Sequence, residues 1–148
     1  AFRRAAHFAP LQGKERTAYW VYQLSTVAFL VCQCFLRITT DPGWLVAGLA
    51  VYGLGILLCA GSVISFARPK ANGINVAGLY KVSRNPMYVA YFIYFLGCVL
   101  LTRSLLLFAI LCAFQISSHW IILSEERWCM ETFGEDYTEY MRRVRRYI

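Results

Sequence analysis

Long uncharged stretches alternate with short clusters of charge along this chain, and their lengths are those of bilayer-spanning helices. Tyr19 to Leu36 is the first, closed by Arg37. Trp44 to Phe66 is the second and holds no charge. Met87 to Leu101 is the third, and Ser104 to Leu123 the fourth, parted from it only by Thr102 and Arg103. A hydrocarbon core roughly 30 Å thick takes about 20 helical residues to cross. The second and fourth runs meet that length, the first approaches it and the third is short. The pattern predicts an all-α integral membrane protein of about four transmembrane helices, the last two forming a tight hairpin. The first run reads as a mature helix rather than a signal peptide, since further apolar runs follow and no small-residue cleavage site stands near Cys34 or Thr39.

Beyond Glu126 the period changes. Trp128, Met130 and Phe133 precede Gly134, and Tyr137, Tyr140, Met141 and Val144 follow Asp136 at three- and four-residue spacing. Two short amphipathic helices are expected there, folded back on the mouth of the bundle. The organisation is a single membrane domain, 1–148: an interfacial segment (1–18), the first two helices (19–66), a turn-rich loop (67–86), the hairpin (87–124) and the short helices (125–148).

Charge orients this arrangement. Thirteen of the fifteen Lys and Arg residues flank the helices on one side, leaving only Arg37 and Arg103 on the other. The positive-inside rule then places both termini and the loop in the cytoplasm, whether the membrane is a bacterial inner membrane or the endoplasmic reticulum. Basic residues beside anionic headgroups also account for the net charge of +7 without a nucleic-acid partner. With 59% hydrophobic residues, too little polar surface exists to cover a soluble globule. Five of the six cysteines fall inside the apolar runs, with neither a disulfide setting nor metal-ligand spacing, and read as small packing residues; no metal site is expected.

Two polar features stand out. The loop carries Pro69, Asn72, Gly73, Asn75 and Gly78 and leads into the third helix through Arg84-Asn85-Pro86. Pro86 suits the first helical position and Asn85 the N-cap, so the helix presents free N–H groups and the positive end of its dipole to an anion. On the fourth helix, Gln115, Ser118 and His119 interrupt an apolar segment that Glu125 and Glu126 close. Ser118 and Glu125 share a face, as do His119 and Glu126. Polar groups at that depth face the bundle interior and find partners.

Gly78-Leu79-Tyr80, Arg84-Asn85-Pro86-Met87-Tyr88, Glu125-Glu126, Phe133-Gly134, Tyr137, Tyr140 and Val144-Arg145-Arg146, in this order, resemble the signature of the membrane methyltransferases that include isoprenylcysteine carboxyl methyltransferases and phosphatidylethanolamine N-methyltransferases. The resemblance covers the carboxyl-terminal half. It implies an S-adenosylmethionine-dependent enzyme whose cofactor lies between the loop, the start of the third helix and the end of the fourth. Tyr80 and Asn85, Pro86, Met87 and Tyr88 would line that pocket, Asn72, Gly73, Ile74 and Asn75 would lie over it, and Glu125 would touch the cofactor. Physical chemistry agrees: Arg84 and the helix terminus suit the cofactor's carboxylate, Glu125 or Glu126 its ammonium, and the faces of Tyr80 and Tyr88 its sulfonium.

Methyl transfer is a direct displacement, needing alignment and exclusion of water rather than a protein nucleophile. An amine acceptor would need a base, for which His119 and Glu126 are the candidates. The resemblance leads to an arginine one turn before the first Glu where the acceptor is a prenylated cysteine carboxylate. Ile121 holds that place here, so a lipid or other small apolar acceptor is expected, with Arg146 the residue able to take over binding of an acidic group. Two other readings fit part of the pattern: a sterol-type membrane reductase using a nicotinamide cofactor, and a non-enzymatic helical-bundle subunit.

Overall fold

The computed structural model describes residues 10–67 and 73–148. The expected Asn72 and the loop residues Arg68, Pro69 and Lys70 lie outside them. Among the described residues the chain is helical, without a strand: α1 (Lys14–Gln33), α2 (Pro42–Phe66), a 3-10 turn (Gly78–Lys81), α3 (Pro86–Thr102), α4 (Leu105–Phe133) and α5 (Glu135–Arg143). Helices α2 and α4 are long and apolar enough to cross a bilayer, whereas α3 is apolar but only 17 residues long.

Two boundaries differ from the sequence expectation. The fourth apolar run and the first of the two short amphipathic helices are one continuous helix of 29 residues. No Gly or Pro occurs between Leu105 and Phe133, so Glu125-Glu126-Arg127 ends the apolar segment without ending the helix. The helix stops at Gly134, whose φ of 56° a side chain would strain. Similarly, α1 begins five residues before its apolar run, at Lys14.

The most extensive helix contacts are α2 with α3 and α1 with α4. The first pair meets through small residues. Helix α2 buries only Gly48, Gly55 and Ser62, each seven residues apart on one stripe. A Cβ on Gly55 would sit 2.5 Å from the Tyr94 Cα, and one on Gly97 would sit 2.5 Å from the Tyr52 Cα, so the two backbones touch where neither helix has a side chain to spare. The rest of α2 faces outward with Val46, Leu49, Leu57 and Ile64 exposed, as a lipid-facing helix requires.

Phe29, Phe95, Cys98, Val99, Leu107, Leu111 and Phe114 form the core between α1, α3 and α4. Phe29 and Phe95 meet at 4.2 Å between ring centroids, and Phe95 meets Phe114 edge-on at 5.0 Å. One end of the bundle is tied by Thr39 N–H donating to the Leu101 carbonyl at 2.7 Å and by Asp41, which caps α2 through the N–H groups of Gly43 and Trp44. At the other end, Arg127 of α4 donates to both carboxylate oxygens of Glu15 in the first turn of α1 at 2.7 Å. A second apolar cluster, Ile74 with Tyr137 and Tyr140, seats α5 and the loop over that same end. The expected fold-back of the last helix is present.

Candidate active site

The polar residues of α3, α4 and the segment after α5 converge at the end where α5 packs. Pro86 occupies the first position of α3 with Asn85 before it, as the sequence suggests, but the Asn85 side chain does not cap the helix. Its amide donates instead to the Arg146 carbonyl at 3.1 Å and to Glu126 Oε1 at 3.5 Å. The N–H groups of the first turn of α3 are therefore not covered by their own cap.

Glu126 is 3% exposed and is the centre of a charge cluster. Arg146 donates to it through Nε at 3.1 and 3.0 Å and through Nη2 at 2.8 Å, and Arg84 Nη2 lies 3.4 Å from Oε1. These charge-assisted bonds raise the Arg146 pKa above its ordinary value. The backbone repeats the connection: Arg84 N–H donates to the Arg145 carbonyl at 3.0 Å, and Ser83 Oγ donates to the Arg146 carbonyl at 3.3 Å. Residues 144–147 thus form a strap across the start of α3.

Arg84 is the least satisfied member of the cluster. Its side chain is 8% exposed, and its Nε and Nη1 are buried without a hydrogen-bond partner among the described residues. An ionised guanidinium with open donors in a dry place favours an anion. On the neighbouring face of α4, Tyr88 Oη donates to Glu125 Oε1 at 3.0 Å. That phenol is the partner of Glu125 among the described residues, and no cation accompanies it there. A carboxylate held by a single neutral donor favours a cation.

The remaining expected residues are distributed around this cluster. Tyr80 is buried, and its carbonyl accepts from Tyr140 Oη at 2.6 Å. Burial raises the Tyr137 and Tyr140 phenols above their ordinary pKa, so both remain neutral. Ile74 is buried against these rings, a Cβ on Gly73 would touch the Phe133 ring at 3.5 Å, and Asn75 is half-buried between Ile74 and the 3-10 turn. Met87 lies half-buried in the first turn of α3. His119 stands two turns of α4 before Glu126, with Nδ1 2.7 Å from Tyr147 Oη. The His119–Tyr147 pair borders an open groove of about 310 Å3 with Gln115, Ile116 and Trp120.

The structure thus joins Arg84, Asn85, Tyr88, Glu125, Glu126 and Arg146 into one end of the bundle and leaves His119 at its edge. Sequence reasoning missed the Glu126–Arg146 pairing, the Tyr140–Tyr80 bond and the Glu15–Arg127 pair. The available signal was the shared face of His119 and Glu126, since a buried carboxylate requires a cation from somewhere.

Neither a curated protein nor a solved structure matches the chain. A family model for phospholipid methyltransferases matches residues 45–136, from the start of α2 into α5, and takes in Arg84, Asn85, Tyr88, Glu125 and Glu126. Apolar helices of spanning length and a lipid-modifying family agree in making this a membrane protein. Because the match runs over more than half of its length, the chain belongs to the phospholipid methyltransferase family.

Proposed function

We propose that the protein transfers a methyl group from S-adenosylmethionine to a lipid or other small apolar acceptor at the cytoplasmic face of its membrane. The observation that carries this reading is the juxtaposition of two oppositely incomplete groups: Arg84 with two buried open donors, and Glu125 with one neutral partner. A zwitterionic amino-acid moiety complements both. Arg84 and the uncapped N–H groups of α3 would hold its carboxylate, and Glu125 its ammonium. The residues fit the cofactor, which when bound supplies an electrophilic methyl group on a sulfonium.

The chain's own part is orientation and dryness. Tyr88 fixes the Glu125 carboxylate, and the ring of Tyr88 offers an aromatic face to positive charge. Gly73, Ile74 and Asn75, with Tyr80, would form the cover, anchored by Ile74 among the tyrosines of α5. Glu126, engaged by two guanidinium groups, is better suited to positioning the loop and strap than to taking a proton. Of the two expected bases, His119 fits an amine acceptor better. In the tautomer whose Nδ1 proton goes to Tyr147, Nε2 keeps its lone pair, and His119 lines the groove. Arg146, already committed to Glu126, would act on an acceptor through the charge it adds to the site.

Four spans with both termini cytoplasmic belong to the same proposal. They would bring the basic flanks and the charge cluster to one face. Incubating detergent-purified protein with methyl-labelled S-adenosylmethionine and total lipid extract tests the whole reading. A labelled lipid is the expected result, and no labelled product together with no calorimetric binding of S-adenosylhomocysteine overturns it.

A further inference from the structure

The bundle is built as two helix pairs, α2 with α3 and α1 with α4, and the candidate site lies across their join. Tyr88 stands in the first turn of α3 and Glu125 on α4, so the 3.0 Å bond between them depends on how one pair docks on the other. One ring touches both sides of that join. Tyr22 of α1, half-buried, stacks on Phe114 of α4 with centroids 5.0 Å apart and meets Tyr88 of α3 edge-on at 6.4 Å. Away from the site the series continues from Phe114 to Phe95 and from Phe95 to Phe29, which makes Tyr22 and Tyr88 the end of an aromatic column that finishes at a carboxylate. Both contacts of Tyr22 are made by its ring rather than by its hydroxyl. Edge-on and stacked contacts fix the plane of a neighbouring ring as well as filling space. Helix α1 is itself pinned at this end, since Arg127, two residues past Glu125, binds Glu15, and Tyr22 follows Glu15 on the same face two turns later. All of α1 precedes residues 45–136, so the family match does not speak to it.

We propose that Tyr22 is a positioning residue for the candidate site: its ring holds Tyr88 in the orientation that donates to Glu125, and so sets the gap between the two helix pairs. Without the ring, Tyr88 is free to swing from the join, and Glu125 loses the donor that aims it. The consequence for cofactor binding rests on the function proposed above; the consequence for the Tyr88–Glu125 bond does not. Helix α1 is then part of the site rather than a lipid-facing support.

The test places fluorotyrosine at position 88 of the full chain in nanodiscs and follows its fluorine resonance. Glu125→Gln is expected to shift that resonance, because an amide replaces the carboxylate that accepts the phenol proton. In Tyr22→Leu, or in Tyr22→Met where the leucine variant does not fold, most of this shift is expected to vanish, and Tyr22→Phe, which keeps the ring, is expected to restore it. Gly48→Ala serves as the control for stability alone. Its Cβ would lie 2.8 Å from Leu101 at the opposite end of the bundle, so melting is expected at a lower temperature with the shift intact. Equal shifts with and without the ring, zero included, overturn the proposal, as does a Tyr22→Phe chain that behaves like Tyr22→Leu or a Gly48→Ala chain that loses the shift. Calorimetry adds the ligand: Tyr22→Leu is expected to bind S-adenosylhomocysteine about two- to tenfold more weakly, the worth of one ring contact. Unchanged affinity in a chain that has lost the shift overturns the link to the cofactor. No binding by the wild-type chain removes the methyl-transfer function, while the fluorine shift still decides the role of Tyr22.

Discussion

Glu125 and Glu126 are adjacent in the chain and chemically opposite in their surroundings. Glu126 is saturated by Arg146 and Arg84, while Glu125 rests on the Tyr88 hydroxyl. Substitution therefore separates them. Glu125→Ala is expected to leave the fold intact and to weaken S-adenosylhomocysteine binding by roughly 10- to 150-fold, the loss of a charge-assisted contact of about 1.5 to 3 kcal/mol. Titration calorimetry on the folded variant reads it, and wild-type affinity there would remove Glu125 from the site. Glu126→Ala instead strands two guanidinium groups and costs stability. About 3 kcal/mol, the low end for breaking a buried pair, is expected because Arg146 retains one third of its exposure. Unfolding in mixed micelles measures this. In the sequence both glutamates were visible as the close of a polar stripe, but not their division of labour. Tyr88 and Glu125 stand 37 positions apart, and Glu126 and Arg146 stand 20 apart across a helix stop. No local period relates such pairs; only the folded strap does.

Individual helices were legible to different depths. Length and hydropathy located α2 because it is uncharged throughout, and Asp41-Pro42 marks its start with a cap that the structure contains. The same measure cut α4 short, because hydropathy reports what lies in lipid and not where hydrogen bonding ends. The absence of a breaker before Gly134 was the better guide. The α2–α3 seam gives a sharp test at this scale. Gly55→Val places atoms into the Tyr94 backbone, and about 1 to 3 kcal/mol of destabilisation is expected in detergent unfolding. Gly53→Ala, two residues away, meets nothing within 4 Å and is expected to be neutral or slightly stabilising. Equal effects would mean that the seam is not where these helices touch.

The Arg127–Glu15 contact ties α1 to α4 with a measurable pH signature. The Arg127 hydrogen bond holds Glu15 below its ordinary carboxylate pKa. A depressed pKa in the folded chain means that the contribution is complete above the unfolded value and fades as pH falls through the folded one. The difference in melting temperature between the wild type and Glu15→Gln is accordingly expected to be constant near neutrality, to begin shrinking as pH falls toward the unfolded glutamate value of about 4.3, and to vanish only below the lowered folded value.

For the whole molecule, the ends of the helices sort by charge. Lys81 and Asp41, both exposed, mark opposite ends of the bundle. In sealed vesicles, Lys81→Cys is expected to react only with reagent on the cytoplasmic side and Asp41→Cys only from the other, with the native thiols as the blank. Reaction of both from one side would overturn the proposed topology. The charge cluster has a further consequence at this scale. Glu126 is shared between the loop before α3 and the strap after α5, so an anion bound at Arg84 and a strap docked through Arg146 are two occupants of one electrostatic account. With Arg146 in place the three groups sum to one positive charge; in Arg146→Ala they sum to none, and Glu126 falls to Arg84 alone. Affinity for a carboxylate at Arg84 then drops although Arg146 lies on the far side of Glu126 from it. By reciprocity, a ligand that draws on Arg84 tightens the strap by the same factor.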